Sequence, residues 1–167
     1  MKKIFLSIGF LLLTNILFAQ GPISKGQIQL NAGVGFSSWG MPVYVGFDYG
    51  VHPDISVGAE ISYRSYSEDY YGGSWGFNVI GFLGDCNYHF NRVLNIPSPW
   101  DVYAGLNIGF VSVSSKSSGY NGSSSSGLGL GAQVGARYYF SKAFGINLEF
   151  GGGNRFSGGK IGITVKF

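Results

Sequence analysis

The sequence predicts an all-β protein, an eight-stranded antiparallel up-and-down barrel, on three observations. Apolar and polar residues alternate at period two from residue 26 to Phe167, the alternating segments number eight, and beyond residue 20 no long segment repeats at helical spacing. Composition points the same way. Of 167 residues 29 are glycine, 17% are aromatic and only 11% are charged, a balance unlike that of an ordinary water-soluble domain. The 45% hydrophobic content supplies enough apolar surface to order the chain, which excludes intrinsic disorder.

Residues 1–19 read as a cleaved secretory signal and residues 20–167 as one barrel domain. Lys2 and Lys3 precede an apolar run over 4–18, broken only by Ser7, Gly9, Thr14 and Asn15, and Ala19 stands before Gln20. The run is shorter than the roughly 20 apolar residues that a helix needs to cross a bilayer. Without the two lysines the net charge of +3 falls, so the basic balance carries no nucleic-acid reading. Cys86 is the only cysteine, which excludes an internal disulfide and offers no lipid-anchor cysteine after Ala19.

The first strand, about 26–37, sets Ile28, Leu30, Ala32, Val34 and Phe36 on one face, and the second sets Val43, Val45, Phe47, Tyr49 and Val51. His52, Pro53 and Asp54 then turn the chain, since proline fixes φ and cannot donate to a ladder. The third strand alternates Ile55, Val57, Ala59, Ile61 and Tyr63 with Ser56, Gly58, Glu60, Ser62 and Arg64, before a polar loop over 67–74. The fourth, about 75–90, changes phase between Phe77 and Ile80, which predicts a β-bulge near Asn78. After a two-proline connection over 91–100, the fifth strand carries Val102, Ala104, Leu106, Ile108 and Phe110. The Ser/Gly-rich stretch 112–127 reads as a loop with little to bury. Leu128 to Phe140, Ile146 to Phe150 and Ile161 to Phe167 supply strands six, seven and eight.

Alternation alone does not say which face is wet. The polar face is built of Gly, Ser, Asn, Gln and Tyr with few charges, whereas a face exposed to water would be loaded with lysine and glutamate. Its charges are Asp48, Glu60, Arg64, Asp85, Arg137, Glu149 and Lys166, of mixed sign, and they are expected to neutralise one another inside the barrel, as Glu60 with Arg64 and Arg137 with Glu149. Aromatics gather at two levels: Phe36, Trp39, Trp75, Phe77, Phe110 and Phe150 toward one rim, Tyr49, Tyr88, Phe90, Trp100, Tyr138, Phe140 and Phe167 toward the other. Such rings match the girdles at a membrane's headgroup levels. The barrel is therefore expected to turn its apolar face to lipid, closed so that no backbone edge is left unpaired.

The Ala19-Gln20 junction, the strand end from Gly135 to Phe140 and the closing segment from Ile161 to Phe167 resemble small outer-membrane β-barrel proteins of Bacteroidetes-type bacteria, similar in layout to the OmpX and OmpA barrels. The resemblance implies an outer-membrane location among lipid and lipopolysaccharide. It also implies that barrel-assembly machinery reads the terminal Phe167, and that periplasmic chaperones carry the chain there. No activity follows from it.

Catalytic constellations are sparse. His52 and His89 read as a turn residue and a polar rim residue, and a Ser/His/acid set using Asp54 or Asp85 has no serine singled out. The glycine pairs and triplets precede no helix and so make no phosphate loop. Cysteine and histidine show no metal-ligand spacing, and no cofactor is expected. An eight-stranded lumen is filled by side chains, which disfavours a pore. The expectation is a structural or surface-interaction barrel, not an enzyme, with Glu68, Asp69, Tyr70 and Tyr71 as the candidate contact loop. Two alternatives are a lipid-modifying outer-membrane enzyme and a soluble periplasmic barrel that binds an apolar ligand.

Overall fold

A strand that alternates apolar and polar residues must bury one face, and eight in succession satisfy every backbone group only by closing on themselves. The computed structural model, which describes residues 22–37, 40–70, 73–115 and 126–167, shows that closure. The strands are β1 (Ile28–Phe36), β2 (Val43–His52), β3 (Ile55–Tyr70), β4 (Gly73–His89), β5 (Trp100–Ser115), β6 (Gly127–Tyr139), β7 (Phe144–Gly153) and β8 (Gly158–Lys166). Each pairs antiparallel with its neighbour, and β1 pairs with β8 from Gln29↔Lys166 to Phe36↔Gly159. The expected signal segment lies outside the described residues, as do Trp39 and Tyr71.

The faces divide as the alternation requires. Leu106, Leu128, Leu130, Val134 and Phe150 are each more than half exposed, whereas Gln29, Asp48, Asn87, Arg137 and Lys166 are buried in the lumen. One end of the barrel, the turn end, carries the first residues of β1, the last of β8 and the connections 53–54, 90–99 and 140–143. At that level Trp100, Tyr138, Phe140 and Phe144 form an outward aromatic row with neighbouring ring centroids 4.8, 5.3 and 6.3 Å apart. Phe167 continues it, 70% exposed, its backbone N–H donating to the Ile28 carbonyl at 2.8 Å.

Four local expectations are corrected. No bulge interrupts β4 near Asn78, because β3 and β4 stay in unbroken register from Ile55↔Tyr88 to Tyr70↔Gly73. The change of phase has another cause: toward the opposite, loop end the lumen itself becomes apolar, and Phe77, Val79 and Leu83 point inward. Phe77 is thus a lumen residue, not part of an outer girdle. The register shift falls instead in β2, between Gly50 and His52. There the missing Cβ of Gly50 admits the Ser24 carbonyl, Gly50 and the 26–27 segment exchange backbone hydrogen bonds, and Ile23 is buried at 1% exposure. The predicted loop over 67–74 is mostly strand, since β3 runs on to Tyr70 and β4 starts at Gly73. Likewise β5 extends to Ser115, into the stretch read as a loop.

Strand length is uneven around the barrel. β1 and β8 have 9 residues, β2 and β7 have 10, but β3, β4 and β5 have 16, 17 and 16. About 9–11 tilted residues span a hydrocarbon layer. The longer strands therefore add roughly 20 Å of wall at about 3.3 Å per residue.

Candidate functional site: a polar lumen beneath an apolar mouth

Inward positions at the turn end carry polar side chains from nearly every strand, and an eight-stranded lumen brings them within reach of one another. Arg137 on β6 is the hub. Its guanidinium donates to Asp48 at 2.8 Å and to Asp101 at 3.2 Å, and it lies 4.2 Å from the Tyr103 ring centroid. Asp48 also accepts from Gln29 at 3.1 Å and Asn31 at 2.9 Å. Tyr139 donates to the Gln29 side-chain amide oxygen, and the Lys166 ammonium stands 3.7 Å over the Tyr139 ring. Higher in the lumen Lys160 bridges two carboxylates, Glu60 at 2.8 Å and Glu149 at 2.7 Å, and Tyr103 donates to Glu149 at 2.9 Å.

The expected partners are exchanged. Glu60 closes on Lys160, and Arg64 donates to the Ser37 hydroxyl at 3.3 Å. Glu149 takes Lys160 and Tyr103, while Arg137 takes Asp48 and Asp101. Asp85 accepts from Asn87 at 2.7 Å, and Asp48 and Asp85 flank Gly58, whose hypothetical Cβ would stand 2.5 and 2.9 Å from their oxygens. Of the candidate contact residues, Glu68, Asp69 and Tyr70 fall on the last positions of β3, in register with Trp75, Ser74 and Gly73. Their side chains, like Tyr71, lie outside the described set.

His89 departs furthest from the sequence expectation. It is a lumen residue 1% exposed, its Nδ1 2.8 Å from an Asp101 oxygen and its Nε2 2.9 Å from the Ser56 hydroxyl. A carboxylate only accepts, so Nδ1–H donates to Asp101, and in the neutral imidazole Nε2 accepts from the serine. These are the hydrogen bonds of a Ser-His-Asp triad. Ser56 and Asp101 are both 0% exposed, and a nucleophile without solvent contact has no room for a substrate. The set ties β3, β4 and β5 to one another and, through Asp101, to Arg137. Asp101 and Lys160 are the charged lumen residues that the sequence reading left out: Asp101 follows the 90–99 connection, and only the barrel brings it to His89 and Lys160 to its two carboxylates.

His52 stays in its turn, half-exposed, with Nδ1 3.6 Å from Asp54, whose carboxylate also meets Arg92. Among the described residues no group of three or more His, Cys, Asp or Glu is arranged to hold a metal ion.

At the loop end the lumen changes character. The connection 154–157 folds into the mouth, and Arg155 and Phe156 join Phe36, Val79, Leu83 and Val111 around a cavity of about 80 Å³. Lys160, Glu60 and Glu149 also line it.

No family model matches the chain, and no curated protein does. Solved structures do match in fold. The outer membrane protein OprG of Pseudomonas aeruginosa superposes with a TM-score of 0.66 at 12% identity, over 90% of this chain and 99% of that one. Neisserial surface protein A gives 0.55 at 19% identity, over 84% and 95%. The N-terminal β-barrel domain of Pseudomonas aeruginosa OprF gives 0.54 at 16% identity, over 87% and 100%. At these identities the likeness establishes the architecture: this chain is an eight-stranded closed antiparallel barrel of the kind that those outer-membrane proteins adopt.

Proposed function

We propose that the protein is an outer-membrane barrel that anchors and displays a surface, without catalysing a reaction or forming a wide pore. The observation that carries this reading is the inverted polarity of the wall. Leucine, valine and phenylalanine face outward over the full height of the short strands, and an interlocked set of Arg137, Asp48, Asp101, Lys160, Glu60 and Glu149 fills the lumen. A soluble barrel would place those side chains the other way round.

In this reading the turn end faces the periplasm and the loop end the outside, so that the tall β3–β4 hairpin presents Glu68, Asp69, Tyr70 and Tyr71 to a partner. Lipid and lipopolysaccharide surround the wall. Barrel-assembly machinery receives the chain from periplasmic chaperones and reads Phe167. The test is to express the chain in a Gram-negative host, fractionate the envelope, and compare migration of boiled and unboiled samples on a denaturing gel. Recovery in the outer membrane with a heat-dependent mobility is expected; recovery in the detergent-free soluble periplasm overturns the reading.

A further inference from the structure

We infer that the loop-end cavity is a binding site for a small aromatic molecule carrying one hydrogen-bond donor, of the phenol or indole class, and that Phe156 occupies part of that site in its absence. Three features converge on it. The ring of Phe156 lies on a shelf of inward glycines from three adjacent strands, Gly81, Gly109 and Gly129. A Cβ at Gly129 would collide with the ring and come within 3.0 Å of the Arg155 Cβ; at Gly109 it would lie 2.9 Å from the ring's Cζ, and at Gly81 3.6 Å from Cε1. At Gly129 the three nearest atoms all belong to Arg155 and Phe156, so that glycine makes room for this segment and not for a neighbouring strand. The shelf is a slot shaped for a flat ring, held by a four-residue connection instead of a strand.

Beside the slot the cavity offers about 80 Å³, several times the roughly 10–15 Å³ that one water needs. Val79, Leu83 and Val111 give it apolar walls. The same wall carries one buried acceptor without a partner, the side-chain oxygen of Asn107, a residue only 7% exposed.

A relay of hydrogen bonds fixes the direction in which that amide points. Asp85 accepts from the Asn87 amide nitrogen at 2.7 Å, and the Asn87 oxygen accepts from Gln133 at 2.8 Å. The Gln133 oxygen in turn accepts from the Asn107 nitrogen at 2.9 Å. Each amide spends its nitrogen toward Asp85, and the Asn107 oxygen is left over. Gly131 faces it, where a Cβ would stand 2.7 Å from that oxygen. An unpaired buried acceptor is costly. A ligand O–H or N–H relieves that cost, and an apolar ring fills the slot.

The experiment uses the full barrel in lipid nanodiscs with 5-fluoroindole as probe, followed by ¹⁹F NMR, and with fluorobenzene as the ring without a donor. Wild type is expected to bind 5-fluoroindole saturably and at least tenfold more tightly than fluorobenzene. Phe156→Ala empties the slot and is expected to tighten binding about tenfold. Gly129→Leu fills it from the wall and is expected to abolish binding. Asn107→Leu, a volume-conserving change, is expected to erase the preference for indole over fluorobenzene while fluorobenzene still binds. Heat-dependent gel mobility confirms that each variant is a closed barrel, and Asn107→Leu with Phe156→Ala decides the matter if Gly129→Leu does not fold. Signals that grow linearly with probe and are the same in empty nanodiscs, or affinities unmoved by Phe156→Ala and Asn107→Leu, overturn the inference.

Discussion

The two halves of the lumen are built on the same strands and the same inward positions, yet they solve opposite problems. In the turn-end half every long side chain is held by others: Arg137 by two carboxylates and an aromatic face, His89 by Ser56 and Asp101, Gln29 by Asp48 and Tyr139. In the loop-end half Val79, Leu83 and Val111 meet a loop residue, Phe156, across a cavity. Densely hydrogen-bonded polar networks lock one geometry, because each hydrogen bond has direction and each unpaired charge is expensive. Apolar contact has no direction and tolerates exchange. The lower half therefore fixes the barrel's shape, and the upper half is free to vary its occupant.

That contrast is sharpest at Arg137. Arg137→Met leaves Asp48 and Asp101 without their cation, and the expected cost is about 3–5 kcal/mol, read as a lower denaturant midpoint in detergent micelles. A cost under about 1 kcal/mol would mean that water reaches the lower lumen and that the two halves do not differ as described. Leu106, mid-strand and 70% exposed, tests the wall itself. Leu106→Arg is expected to cost about 2–4 kcal/mol in a bilayer, falling as the position approaches an interface. A neutral effect would place this face in water.

Smaller effects are expected where the braces are neutral or the contacts lie at the mouth. Ser56→Ala removes one buried hydrogen bond and is expected to cost about 1 kcal/mol, and a fluorophosphonate probe is expected to leave wild-type Ser56 unlabelled. Covalent labelling that Ser56→Ala and His89→Gln both abolish would show that the lower half opens and works as a hydrolase, on lipid if the envelope's lipid profile changes too. Phe156→Ala, at a half-buried loop position, is expected to shift the midpoint by less than about 1 kcal/mol. A large loss there would make the upper half as rigid as the lower.

Legibility in the sequence follows the same division. β1, β2, β5 and β6 are readable because lipid on one side and a polar lumen on the other write alternation directly into the chain. β4 is not, since from Phe77 to Leu83 both faces are apolar and the phase loses its meaning. Most of the charged lumen residues could be named, Asp101 and Lys160 excepted, but their partners could not. Neighbouring strands suggested Arg137 with Glu149, whereas the guanidinium reaches across the lumen to Asp48, 89 positions away. His89 looked like a rim residue because its partner Asp101 lies beyond a connection with two prolines, and Phe156 sits in a segment without any period. Side-chain reach across a closed tube is a property of the closed tube.

The same long-distance links bear on how the barrel is made. Arg137 to Asp48, Lys160 to Glu60 and Tyr139 to Gln29 join residues 89, 100 and 110 positions apart. Each such contact incurs its loop-closure entropy before it gives anything back. A chain emerging in order has placed Asp48, Glu60 and Gln29 long before their partners exist, so an incomplete sheet would hold bare carboxylates against hydrocarbon. Burial of those groups becomes favourable in one step, when the eighth strand docks on the first. Assembly of this barrel should accordingly be all-or-none at closure, with half-built forms kept in a watery or protein-shielded place until Lys160 and the strand that carries it arrive.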